Sequence, residues 1–140
     1  MEDLLPDVVA PLVGSSPAWL VDGSATWTSA TEPVKTLWVL QRSSEPVSIS
    51  GHRLDAPGFL KLRRGDDPPT TELVVANPAR ESAIPGGARP EIMRAYAFLP
   101  SHVFYPSPGC WEFRVHQGRY DVNIVRELNR WYRLVAFPGS

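Results

Sequence analysis

The sequence is poor in cysteine, lysine and long apolar runs, and each shortage closes off a class of protein. Cys110 is the only cysteine, so no disulfide can form within the chain and the thiol count does not place it in an oxidising compartment. No apolar run approaches the ~20 residues that a bilayer-spanning helix needs, so no transmembrane segment is expected. Lysine occurs only at positions 35 and 61, the other strong cations being arginine, a bias that by itself carries no functional weight. Charge of one sign is missing too: 14 basic residues nearly balance 15 acidic ones. No overall field therefore draws the chain to nucleic acid or to an anionic membrane. The start, Met1 to Pro6, has neither the basic nor the apolar region of a signal peptide, although a removed signal would leave the same beginning.

Catalytic constellations are also absent. Ser15-Ser16 and Ser43-Ser44 lie in polar turns with no Gly-x-Ser-x-Gly elbow. No phosphate-cradling glycine loop and no zinc-ligand spacing occurs, so neither a cofactor nor a metal is expected. Glu112, Arg114 and His116 share one face of a strand, the ordinary look of a solvated sheet. Cys110 beside Trp111 reads as a small core residue with an inert thiol, because a strand start usually buries it and no cation neighbours it in sequence.

What is present is the size of one domain and the punctuation of a β protein. A chain of 140 residues suits a single core. Fifteen Pro and 10 Gly exceed the average combined share of about 12% and separate short apolar runs. The clearest signal is a hairpin from Trp111 to Val125 around Gln117-Gly118. Pairing His116 with Arg119 sets Val115 against Tyr120, Phe113 against Val122 and Trp111 against Ile124 on a core face. It also sets Arg114 against Asp121 and Glu112 against Asn123 on a solvated one.

Val34 to Gln41, with Leu37, Trp38, Val39 and Leu40 in succession, reads as a central strand buried on both faces. Val47 to Gly51 alternates and is expected to pair with it. Trp19 and Trp27, around Asp22-Gly23-Ser24, read as core cover, with an exposed aromatic platform as the lesser alternative. Residues 1–16 are fragmented and contain at most one edge strand. Phe59 to Leu62 is a further short strand, and the Arg64-Gly65-Asp66 after it matches an integrin-binding tripeptide by chance. Residues 65–94 form a long Pro/Gly-rich loop with one short strand at Leu73 to Ala76 and the greatest flexibility at Ala83 to Pro90. Tyr96 to Tyr105 is a strand entering the core beside the hairpin. Residues 126–140 read as either a helix or a strand, with strand preferred.

The fold class expected is therefore all-β, a single domain over 1–140 with 1–16 and 126–140 peripheral. Trp38, Cys110, Trp111, Phe113, Tyr120, Val122 and Ile124 are its expected structural residues. His52, Arg53 and Asp55, charged groups at a strand end, are the candidate binding residues, with an Arg53 to Asp55 ion pair as the structural alternative.

The segment Pro106-Ser107-Pro108-Gly109-Cys110-Trp111-Glu112, taken with Val34 to Val39 and Ile49 to Asp55, resembles a group of uncharacterised bacterial secreted or lipoprotein-like domains. Those end in a P-x-x-G-C-W-E strand followed by a glycine turn and a second strand, here Val122 to Val125. The similarity covers roughly 34–125, with the loop after Gly65 longer than the group's. It implies an immunoglobulin-like antiparallel β-sandwich and an extracellular or cell-envelope location, with no catalytic residues to carry over. The expected function is an exported, non-catalytic module that binds a protein, a glycan or the cell wall. The alternative is a small enzyme with its site near His52, Arg53 and Asp55.

Overall fold

The computed structural model describes residues 12–21, 26–81 and 90–130, with the backbone alone at Arg130. Its strands are β1 (Leu12–Ser15), β2 (Ala18–Val21), β3 (Thr26–Trp27), β4 (Val34–Gln41), β5 (Val47–Arg53), β6 (Lys61–Arg63), β7 (Glu72–Val75), β8 (Tyr96–Phe104), β9 (Gly109–Gln117) and β10 (Tyr120–Arg130). They form two sheets packed face to face, β1-β2-β4-β8-β6 and β3-β10-β9-β5-β7. The chain is all-β, as expected, and the sheets bury one core between them.

The period of two in each strand decides what that core contains. β4 sends Trp38 and Leu40 inward, β8 sends Ala97, Leu99 and Val103, and β9 sends Trp111, Phe113 and Val115. Trp38 and Trp111 are both wholly buried, and each indole N–H finds an acceptor: Trp38 donates to Ser101 Oγ at 3.1 Å and Trp111 to the Ser107 carbonyl at 3.2 Å. Both faces of β4 are covered. Its outward Val39 lies in a smaller apolar layer with Trp19 and Phe98, so the unbroken apolar run does mark a central strand. Trp27 packs on the main core and donates to the Tyr105 carbonyl at 2.8 Å. Both tryptophans are thus engaged in packing, and neither forms an exposed platform.

The hairpin exists, but its pairing is two residues off the expected one. Gln117 pairs with Tyr120, Val115 with Val122, Phe113 with Ile124 and Trp111 with Arg126. The turn is therefore Gly118-Arg119. Gly118 has φ +56°, a conformation that the first central position of such turns requires and that Gln117 would adopt only with strain. A shift of two preserves parity, so Trp111, Phe113, Val115, Val122 and Ile124 still face the core. It moves Tyr120 to the hairpin tip, where it is exposed, and places Asn123 rather than Asp121 opposite Arg114. Cys110 has the parity of Glu112 and Arg114; it faces outward and is half-buried, so it is not a core residue.

Three longer-range expectations also give way. β5 does not pair with β4, because both edges of β4 are taken by β2 and β8; β5 joins the other sheet between β7 and β9. β8 enters the core opposite the hairpin instead of beside it, and it runs through Pro100 and Ser101 as one strand. The stretch 65–94 has more structure than one strand: beside β7 it holds a 3-10 turn, Pro78–Arg80, and a helix α1, Pro90–Ala95, each opening on a proline whose missing N–H costs nothing there. Val8 to Ala10, Asp22 to Ser24, Ala83 to Arg89 and residues 131–140 lie outside the described residues. β10 carries the strand reading of the tail as far as Arg130.

Candidate functional site

Successive residues of a strand point to opposite faces, and this separates the three candidate residues. His52 faces outward and pairs across the sheet with Glu112, while Arg53 pairs with Trp111 at the inner edge. Arg53 Nε donates to Asp55 Oδ1 at 2.6 Å and its NH1 donates to Ser107 Oγ at 2.8 Å. Its guanidinium lies over Gly109, where an added Cβ would stand 2.9 Å from it. The main chain closes the same corner, with Arg53 N–H to the Gly58 carbonyl at 3.0 Å and Leu54 N–H to the Cys110 carbonyl at 2.9 Å. The hydrogen bond to Arg53 is the main reason that the Asp55 carboxyl sits below its ordinary value, and the same bond raises Arg53. Arg53 and Asp55 thus clamp the loop 54–58 onto the start of β9.

His52 belongs to a different place, a groove on the outer face of the second sheet. β5 presents only Ser48, Ser50 and His52 on that face. Its neighbours present Arg114 and His116 from β9 and Glu72 and Val74 from β7. Short side chains between longer ones make a channel along β5. At one end it deepens into a cleft of about 270 Å³ lined by Ser50, His52, Phe59, Thr71, Glu72 and Arg114.

Phe59 stands at the mouth, 70% exposed, and the reason lies beneath it. Leu60 is wholly buried and packs so closely on Gly51 that any side chain there would collide with it. The chain is further pinned by Leu60 N–H to the Gly51 carbonyl at 3.0 Å. Alternation then forces the preceding ring outward. His52 Nε2 lies 3.6 Å from Glu112 Oε1, and together with Ser50, Glu72 and Arg114 the cleft offers donors and acceptors of both signs beside one apolar ring.

Sequence reasoning singled out His52 but not Phe59, Glu72 or Arg114 as its companions. The signal for Phe59 was present in the alternation of an aromatic with a buried leucine, but its exposure depends on Gly51 lying beneath Leu60, a contact between β5 and the chain leading into β6. Arg64-Gly65-Asp66 forms a turn whose arginine pairs with Glu81 at 2.6 Å, so that group is engaged within the fold. Among the described residues no helix is long and apolar enough to cross a membrane. Comparison of the chain with protein-family models, with curated proteins and with solved structures finds no match.

Proposed function

We propose that this chain is a non-catalytic, exported β-sandwich that binds a glycan in the groove along β5. The observation that carries the reading is the pairing of the exposed Phe59 ring with the polar cleft of Ser50, His52, Glu72 and Arg114. A sugar ring presents a C–H face that stacks on an aromatic and hydroxyls that both donate and accept. Large exposed apolar side chains rimmed by polar groups are the usual mark of a contact surface. A protein partner is the nearest alternative, and it would use the same surface.

The immunoglobulin-like part of the reading is supported by strand order. β2-β4-β8-β6 and β10-β9-β5 follow the A-B-E-D and G-F-C orders of that fold, although the chain visits β6 before it returns to lay β7 beside β5. The exported location and the bacterial, lipoprotein-like affiliation rest on the resemblance around Pro106 to Glu112. An enzyme at His52, Arg53 and Asp55 is less well supported, since Arg53 and Asp55 hold each other at the opposite side of the strand from His52.

The test is a glycan-array screen of the full chain, followed by titration of any hit against Phe59→Ala and Arg114→Ala. Weakened binding at unchanged melting temperature is the expected result. Absence of any glycan hit, or full affinity in both variants, would reject the groove as a glycan site.

A further inference from the structure

We propose a second ligand site on the other sheet, for a small organic anion with an apolar body, and it does not depend on the groove along β5. β2 pairs with β4 only from Ala18 to Leu20, against Leu40 to Trp38. Beyond that point the chain passes to the second sheet at β3, and residues 34–37 of β4 have no strand partner on that side among the described residues. A cavity of about 750 Å³ opens there, within the range of roughly 300–1,000 Å³ usual for small-molecule sites. Val34, Leu37 and Pro100 supply apolar wall, and the Lys35 ammonium and the His102 ring stand at it as polar groups.

Among the described residues, the charged side chains that line the cavity, Lys35 and Arg126, are both cationic. Lys35 lies directly across from His102, and His102 across from Arg63, so three basic residues form one row over β4, β8 and β6. Lys61 sits one step further, opposite Phe104, and Arg63 stacks over that ring at 5.2 Å. Both lysines of the chain fall in this one patch. No carboxylate of the described residues lines the cavity, and none of the four basic residues is in an ion pair among them. Lys35 and Arg63 thus flank His102 on one face of the sheet, a local concentration of basic groups that favours an anionic ligand.

A second observation points the same way. His102 Nδ1 is buried without a hydrogen-bond partner, an arrangement that is uncommon because it forfeits the solvation of that atom. His102 lines the cavity directly across the strands from Lys35, so an anion held by Lys35 lies beside this ring. Arg126 also lines the cavity but already has a partner, and the anion does not need it. The occupant with matching chemistry is a monoanion whose hydrocarbon part covers Val34, Leu37 and Pro100.

Decanoate is a suitable probe, with decyltrimethylammonium as its cationic counterpart of equal chain length. Calorimetric titration of the full chain below the micellar range should show saturable binding of about one decanoate, and the cation should bind at least about tenfold more weakly. Lys35 is exposed, so Lys35→Gln and Lys35→Glu should melt like the parent while decanoate affinity falls, more for Glu than for Gln, by about tenfold or more. Decanoate should also shift the methyl resonances of Val34 and Leu37 and spare those of Val74 on the second sheet. The proposal is overturned if neither decanoate nor anilinonaphthalene sulfonate binds saturably, if the cationic amphiphile binds as well, or if both Lys35 variants keep full affinity.

Discussion

Trp38 and Phe113 meet edge to face across the sandwich, with ring centroids 5.1 Å apart and planes at 79°. One ring comes from the middle strand of the first sheet and the other from β9 of the second, so a single contact joins the two layers. Tyr105 continues the cluster, at 5.9 Å from Trp111 and 6.4 Å from Phe113.

Truncating Phe113 to Ala should cost about 3–5 kcal/mol, the usual range for a wholly buried aromatic, which is a large share of the stability of a domain this size. In a double-mutant cycle with Trp38→Leu and Phe113→Leu, the pair should show about 0.5–1.5 kcal/mol of coupling. Chemical denaturation of the four proteins measures this, and strictly additive losses would mean that the rings do not interact.

The hairpin register can be read out by charge. His116 Nδ1 lies 2.7 Å from Asp121 Oδ1, whereas Arg114 faces Asn123. Both members of the His116 and Asp121 pair are exposed, so the coupling should be modest, about 0.2–1 kcal/mol. The cycle between Arg114 and Asp121 should be smaller. A larger value for Arg114 with Asp121 would restore the register in which those two are paired.

Gly118→Ala should destabilise by about 1–2 kcal/mol, since an L side chain at φ +56° meets its own carbonyl. The new methyl would also crowd the Glu45 carboxylate, which occupies the space beside Gly118. Glu45→Ala in the same background should recover only the second part of the loss. A Gly118→Ala protein as stable as the parent would exclude this turn.

The Arg53 and Asp55 clamp makes a prediction in pH. The folded protein holds the Asp55 carboxyl below its ordinary value of 3.8, so the clamp's stabilisation is present above that value and is lost as the pH falls through the lower folded value. Melting temperature followed from pH 5 downward should therefore fall less steeply in Asp55→Asn than in the parent. Because both groups are solvent-accessible, the difference should be small; identical acid profiles would show that the clamp is not linked to folding.

Much of this architecture is local and could be read from the chain. Val34 to Gln41 is a β4 strand to the residue, because a short apolar run rich in branched and aromatic side chains and bounded by turn residues suits a strand covered on both faces. The inward set of β9 and β10 follows from a period of two that survives any even shift of register. Tertiary structure decided the rest. Which edge a strand takes is a competition among partners, so β5 lost β4 to β2 and β8 and went to the other sheet. The turn was placed by Gly118, because the first central position needs a positive φ that Gln117 would adopt only with strain. The two surfaces proposed as ligand sites are assembled across strands. Phe59 reaches His52 and Arg114 only because Leu60 packs on Gly51, and Lys35, His102 and Arg63 are far apart along the chain. Only the order of the sheet brings those three side by side, since no period in a single strand reports what its neighbours carry.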